Sequence, residues 1–417
     1  MRQLLVLACL LTACFCRKTF KGDQVLRVTA GDDVQINLLK NLTDQHPQLN
    51  FWLEPVHESL PVDVHVPFHS LQDVKGFLKS NKIQYKIMIQ DLQNLVDEEQ
   101  RQMLKSRTHQ PKNTDEFDYT NYHTLSEIDS FMDMLVKENS SFVSKIKIGE
   151  SVEKRPLNVL KFSNGTNRPG IWIDCGIHAR EWISPATGTY FAKRIVMDRN
   201  RVPTLKDILM KFDIFLEIVV NPDGYEYTHT PKGRMWRKNR KHIQGSKCIG
   251  VDLNRNWDAN FGGAGSSNDP CNNIYRGPSA NSEPEVKAIV DFIKSHGKIK
   301  AFVSMHSFSQ ILLYPYGYTK KPCKDEKMLD KLAKEAITEL QEPYGTVYRY
   351  GSPFNLLGQA SGISMDWAYN QGIKYSYTFE LRDNNSFVLP ADQILPTALE
   401  TWQALMAIMK HTKNNPY

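Results

Sequence analysis

Polar and apolar positions follow two different patterns along the chain, and each predicts its own architecture. In the first ninety residues the apolar positions come in short, spaced groups. Val62–Val66 (VDVHV) alternates at period two, as a half-buried strand does, and residues 24–28 and Gln84–Ile89 also read as strands. Residues 34–42 and Leu71–Ser80 carry helical spacing instead. The order strand, helix, strand, helix, strand predicts a small α/β unit of ferredoxin-like type. A polar, Glu/Gln-rich helix is predicted next over residues 91–105, with Asp91 as its N-cap. From about residue 115 onward the pattern changes. Runs at 171–174, 214–220, 301–305 and 375–379 are almost continuously apolar, and helical stretches at 125–138, 185–198, 283–295, 328–340 and 396–411 alternate with them. Apolar strands separated by helices predict a sheet covered on both faces, hence a second, larger α/β domain with a mixed or mostly parallel sheet.

Between the two units, residues 105–114 (KSRTHQPKNT) are polar and basic and show no periodicity. They read as a linker, and Arg107 as a processing site for a trypsin-like protease. The only long apolar run lies at residues 4–16, between Arg2 and Arg17-Lys18. It falls short of the roughly 20 residues that span a bilayer and has the form of a secretory signal peptide. The expected division is therefore signal peptide 1–16, small domain with linking helix 17–107, and large domain 108–417, in a secreted, extracellular protein with no membrane anchor.

Charge and cysteine content narrow the field. The 417 residues carry 52 Lys and Arg against 46 Asp and Glu, a net charge of +6, too small a bias to imply a polyanionic partner. Three of the seven cysteines lie in the signal segment. Of the remaining four, Cys248 and Cys271 enclose a Gly/Asn-rich stretch that a bridge would restrain, Cys175 falls in an apolar run, and Cys323 has no obvious mate. Sequons at Asn41, Asn139, Asn164 and Asn384 are compatible with secretion.

Three polar groups stand at the ends of buried-type strands, where burial is costly unless the groups are paired or functional. The first run leads into His178-Ala-Arg180-Glu181; a surface pair of Arg180 with Glu181 is the alternative. The second ends in His306-Ser307-Phe308, and the third in Glu380-Leu-Arg382, where a Glu380–Arg382 pair is the alternative. Two histidines and one glutamate leave a fourth coordination position open, the composition of a catalytic zinc site. A glutamate beside a metal-activated water is placed to act as a general base. Two further segments are rich in donors. Residues 232–242 (KGRMWRKNRKH) read as a solvated loop rather than a nucleic-acid patch, and GVDLNRNW supplies arginine and asparagine for a carboxylate such as a peptide's C-terminus.

Taken together, CGIHAREW, RMWRKNR, GVDLNRNW, MHSFSQILLYPYGY, QASGISMDWAY and YTFELRD resemble the pancreatic-type procarboxypeptidases of the zinc metallocarboxypeptidase A/B family, from end to end of the chain. The resemblance implies a mixed-sheet metallocarboxypeptidase domain behind an inhibitory propeptide, one zinc held by His178, Glu181 and His306, and Glu380 as general base. It implies Arg237 at the oxyanion, Asn254 and Arg255 at the substrate's terminal carboxylate, and Arg180, Ser307 and Phe308 along the upstream subsites. It also implies a Cys248–Cys271 disulfide. The specificity position falls on Met365, whose apolar side chain favours an apolar C-terminal residue over the basic one that an acidic group would select. A peptide or protein C-terminus as substrate, an activating trypsin-like protease and a monomeric chain complete the expectation.

The chain also departs from the family's pattern. Gly358 stands where a mobile tyrosine usually closes over the substrate, ELRDNNSFVLP is two residues shorter than usual and lacks Tyr-Gly, and Phe308 replaces a frequent tyrosine. The competing reading is a catalytically weakened homologue that binds peptide C-termini.

Overall fold

A computed structural model describes residues 19–107, 110–382 and 386–417. The signal segment, the two residues after Arg107 and the sequon at Asn384 lie outside the described residues. The small domain holds β1 (Gln24–Thr29), α1 (Asp33–Gln45), β2 (Asn50–Leu53), β3 (Val62–Val66), α2 (Leu71–Ser80) and β4 (Gln84–Ile89). Its antiparallel sheet has the order β2-β3-β1-β4, so the ferredoxin-like expectation holds, with β2 as a strand the pattern did not predict. Helix α3 (Leu92–Ser106), capped by Asp91 through the Gln93 N–H, is the linking helix.

The large domain carries α4 (Leu125–Glu138), β5 (Val143–Glu150), β6 (Pro156–Phe162), β7 (Gly170–Cys175), α5 (Ile183–Asp198), α6 (Pro203–Lys211), β8 (Asp213–Glu217), α7 (Pro222–Thr228) and α8 (Pro284–His296). It continues with β9 (Ile299–His306), β10 (Ile311–Leu313), α9 (Glu326–Gln341), β11 (Arg349–Gly351), α10 (Pro353–Leu356), α11 (Ser364–Asn370), β12 (Tyr375–Glu380) and α12 (Ile394–Asn414). The sheet order is β11-β10-β12-β9-β7-β8-β6-β5. Strands β12, β9, β7 and β8 are parallel to one another, whereas β6 runs antiparallel to β8, β5 to β6 and β10 to β12, so the sheet is mixed.

Alternation along the central strands feeds two cores. Ile171 and Ile173 face the layer that includes α5, α9 and α12, while Trp172 packs with Phe215, Phe302 and α8 on the other face. Because both faces are covered, β7 and β8 are buried throughout and β9 from Ala301 onward, which is why they read as almost continuous apolar runs. The parallel strands all deliver their C-terminal ends to one edge of the sheet, the place where open α/β sheets bind ligands.

Candidate active site and metal centre

Three strand ends build the site. After β7 the chain turns at Gly176, whose φ of +67° lies in the left-handed region; a Cβ there would stand 2.9 Å from Pro185 Cγ. Ser184, in the first turn of α5, accepts from the Gly176 N–H and donates to the Met305 carbonyl, tying the turn to the end of β9. This turn carries His178 and Glu181. His306 closes β9, and in the parallel register between β12 and β9 Glu380 lies opposite His306.

His178, Glu181 and His306 are buried and converge. His178 Nδ1 stands 2.8 Å from Glu181 Oε1, His306 Nδ1 stands 3.1 Å from Glu181 Oε2, and the two Nδ1 atoms are 3.1 Å apart. Ligand arms of roughly 2.0–2.1 Å in a tetrahedron have edges of about 3.3 Å, so this donor set fits zinc closely. Asp252 fixes the first histidine from behind: its Oδ1 lies 3.0 Å from His178 Nε2. Such a partner sets the tautomer that leaves the other ring nitrogen free for a metal. Asn254 Nδ2 lies 3.2 Å from His306 Nε2. Desolvation and the nearby Arg237 push the His178 pKa down, whereas at His306 the hydrogen-bonded Glu181 carboxylate outweighs desolvation and pushes it up. Burial raises the Glu380 carboxyl to about 8 against the pull of His306.

The cationic wall is built around Asp252. Arg237 places Nε and Nη2 at 3.0 and 2.9 Å from Asp252 Oδ2, and its Nη1 reaches to 3.8 Å of Glu181. Arg255 is positioned by the Gly265 and Asn254 carbonyls. Asn254 Oδ1 accepts from the Ser364 N–H, linking the wall to α11 and to Met365 beside it. Met365 is buried with Ile311, Leu313 and Ile363 in an apolar cluster bordering the cleft. Arg180 does not pair with Glu181; it stacks 4.0 Å over Phe387 and donates to Asn50. The Ser307 N–H donates to Glu181, and Phe308 packs against Phe387 with centroids 4.8 Å apart, so an aromatic wall survives the shortened segment after Glu380. Arg382 turns away to Glu400, not to Glu380. The predicted metal-binding, catalytic and substrate-binding residues all line one cleft of about 1200 Å³, whereas Arg107 lies away from it beside Glu127.

Other details differ from the expectation. Residues 232–242 are not a solvated loop throughout: Arg234, Lys238 and Asn239 are buried. Asp252 holds the wall together but drew no role from sequence, because an aspartate in a donor-rich motif looks like one more polar loop residue. The Cys248–Cys271 disulfide is formed, and Cys175 and Cys323 are free and buried.

The sequence matches the zinc carboxypeptidase family over residues 128–404 and the carboxypeptidase activation peptide family over residues 26–99. Carboxypeptidase A1 of Mus musculus is 55% identical across the whole of both chains. Carboxypeptidase A5 of Homo sapiens is 51% identical over all of this chain and 96% of its own. The crystal structure of thrombin activatable fibrinolysis inhibitor superposes with a TM-score of 0.86 at 36% identity, over 95% of this chain and 100% of that one. These likenesses do not favour the weakened-homologue reading. The chain belongs to the zinc carboxypeptidase family, and within it is an A-type procarboxypeptidase, a zymogen whose activation peptide precedes a zinc exopeptidase.

Proposed function

We propose that the enzyme removes single apolar residues, aliphatic or aromatic, from peptide C-termini, with His178, Glu181 and His306 holding the zinc. The observation that carries this reading is the convergence of those three side chains at the strand end where Glu380 sits in register with His306. When bound, zinc supplies Lewis acidity toward the scissile carbonyl and lowers the pKa of a water. Glu380 accepts the proton of the attacking water and delivers it to the leaving amine. Arg237, held by Asp252, donates to the oxyanion that develops at the scissile carbonyl. Arg255 and Asn254 receive the terminal carboxylate, and the apolar cluster of Met365, Ile363 and Leu313 receives the side chain beyond it. Arg180, Ser307 and Phe308 line the upstream subsites.

The precursor is proposed to be secreted, to be monomeric and to become active after a trypsin-like cut at Arg107. Among the described residues, no helix is long and apolar enough to cross a membrane. The test combines metal analysis with a panel of blocked dipeptides that differ only in their last residue, assayed after trypsin treatment. About one zinc per chain and turnover of C-terminal Phe or Leu are expected. His306→Ala is expected to lose most of the zinc; full retention there, or a preference for C-terminal Lys or Arg, would refute the assignment.

A further inference from the structure

Strand β2 and the segment that leaves it enter the cleft of the large domain. Asn50 Oδ1 accepts from Arg180 Nη1 at 2.9 Å and from Asn273 Nδ2 at 2.8 Å. Trp52 stands edge-on to Phe387 and Phe308, with centroids 5.1 and 6.3 Å away. Glu54 lines the same cleft as Arg237 and Arg255, and desolvation there raises its carboxyl pKa against the pull of Arg237. Pro55 is buried, and the chain then lays Val56 against Gly358. A Cβ on residue 358 would stand 2.2 Å from Val56 Cγ1, 2.7 Å from its Cβ and 2.9 Å from its Cγ2. Gly358 is itself buried, has φ +95° and donates its N–H to the Pro353 carbonyl at 2.9 Å.

We propose that Gly358 is the seat of the pro-segment: the missing side chain at the rim of the specificity pocket forms a notch that Val56 fills, and this contact helps to keep the uncut precursor silent. A side chain at 358 and a seated Val56 exclude one another, since three atoms of the valine already occupy the space any Cβ would take. The glycine that withholds a hydroxyl from the substrate is thus what admits the inhibitory segment. The inference rests on the reading of residues 17–107 as inhibitory.

The test compares hydrolysis of a small blocked dipeptide by full-length precursor before and after the activating cut. Val56 leaves with the pro-segment, so every Val56 variant yields the same cut enzyme as the parent, and a change in the uncut-to-cut ratio arises in the precursor alone. Val56→Trp overfills the notch from one side and Gly358→Ala from the other. Each is expected to raise the ratio about five- to thirty-fold, the range set by modest overpacking. Val56→Gly added to Gly358→Ala is expected to bring the ratio back toward the parent value. If Gly358→Ala fails to fold because of its positive φ, Val56→Trp still decides. Ratios unchanged from a silent parent would overturn the seat while leaving the inhibitory reading intact. A parent precursor as active as its cut form would overturn the inhibitory reading and the seat together.

Discussion

Two carboxylates that end strands of the same sheet show how position on the sheet sets chemistry. Glu380 opens onto the cleft beside His306, where a base has a proton to receive. Glu380→Gln is expected to lower kcat by about 10²–10⁴-fold while zinc content stays unchanged; a kcat within a few-fold of the parent would remove it from the mechanism. Glu217, on β8, is buried in the interior, and neither of its oxygens accepts a hydrogen bond from another described residue. It lies opposite Asp174 in the β7–β8 register and also feels Glu285, so desolvation first, and these two neighbours second, raise its pKa well above the ordinary value. The folded protein therefore keeps a proton that the unfolded chain releases. The stability this group contributes is full below the ordinary glutamate pKa and is lost as pH rises toward the folded value. Glu217→Gln supplies a group that stays neutral at every pH, so its melting temperature is expected to exceed the parent's by a margin that widens from pH 5 to pH 9. The gain at the alkaline end is about 1–3 kcal/mol, the cost of an unsatisfied buried polar group. A constant difference between the two melting curves would show that Glu217 does not titrate in this range. The metal ligands and Glu380 were legible because each stands at or just beyond the end of an apolar strand, where a polar group is conspicuous. Asp252 and Glu217 were not: the first lies in a loop full of polar residues, and the second sits inside the 214–220 run, whose apolar character hides one acid.

At the scale of elements, the central strands announced themselves because two covered faces leave no polar positions to blur the run. The strands at the two margins of the sheet, β5 and β6 on one side and β10 and β11 on the other, went unpredicted, being partly exposed or only three residues long. β2 is four residues long, and its role lies in what it carries into the cleft rather than in its own pattern. Helix α3 was legible as a polar helix, but its anchor was not. Glu99 is buried and forms a bidentate pair with Arg234, at 2.5 Å to Nε and 2.8 Å to Nη2. Arg234 also donates to the carbonyls of Arg180 and Phe387 and lies 3.9 Å over the Trp182 ring. One guanidinium therefore joins the linking helix to the turn that carries Glu181 and to the aromatic wall. Periodicity cannot reveal a pair 135 residues apart in sequence. Glu99→Gln keeps the shape but removes the charge from a buried charge-assisted contact, a loss of about 1.5–3 kcal/mol. The cut pro-segment is then expected to bind its enzyme at least about ten-fold more weakly. Gel filtration of the trypsin-treated mixture would show it; co-elution as tight as the parent's would mean that the aromatic and Asn50 contacts suffice without this pair.

The molecule as a whole is held in its precursor state at two points on the linking helix, the middle of α3 at Glu99 and its far end, and the two differ in strength. The far end is Arg107, whose Nε lies 2.9 Å from Glu127 Oε1. Glu127 also closes the capping box of α4 with Thr124. Working against desolvation, a hydrogen bond from His123, the Thr124 N–H and the Arg107 charge together hold its carboxyl down at about 2. The side chain that the proposed trypsin-like cut would have to present is thus already engaged in the precursor. Both partners are about a third exposed, so the pair contributes only about 0.2–1 kcal/mol, and Glu127→Gln is expected to speed the first cut by no more than about five-fold. Arg107→Gln should slow it far more, because Lys105 and Arg101 lie in α3 and would require the helix to unwind, leaving Lys112 as the one alternative beyond it. The cut does not break the Glu99–Arg234 pair, so cleavage and activity should separate in time. In the parent, the band shift is expected to precede the rise in peptide hydrolysis, the interval being the residence time of the cut pro-segment. Glu127→Gln should shorten the time to cleavage and leave that interval unchanged, whereas Glu99→Gln should do the reverse. Sampling one digest by gel and by activity measures both quantities, and activity rising in step with the band shift in the parent would show that the pro-segment is released by the cut itself.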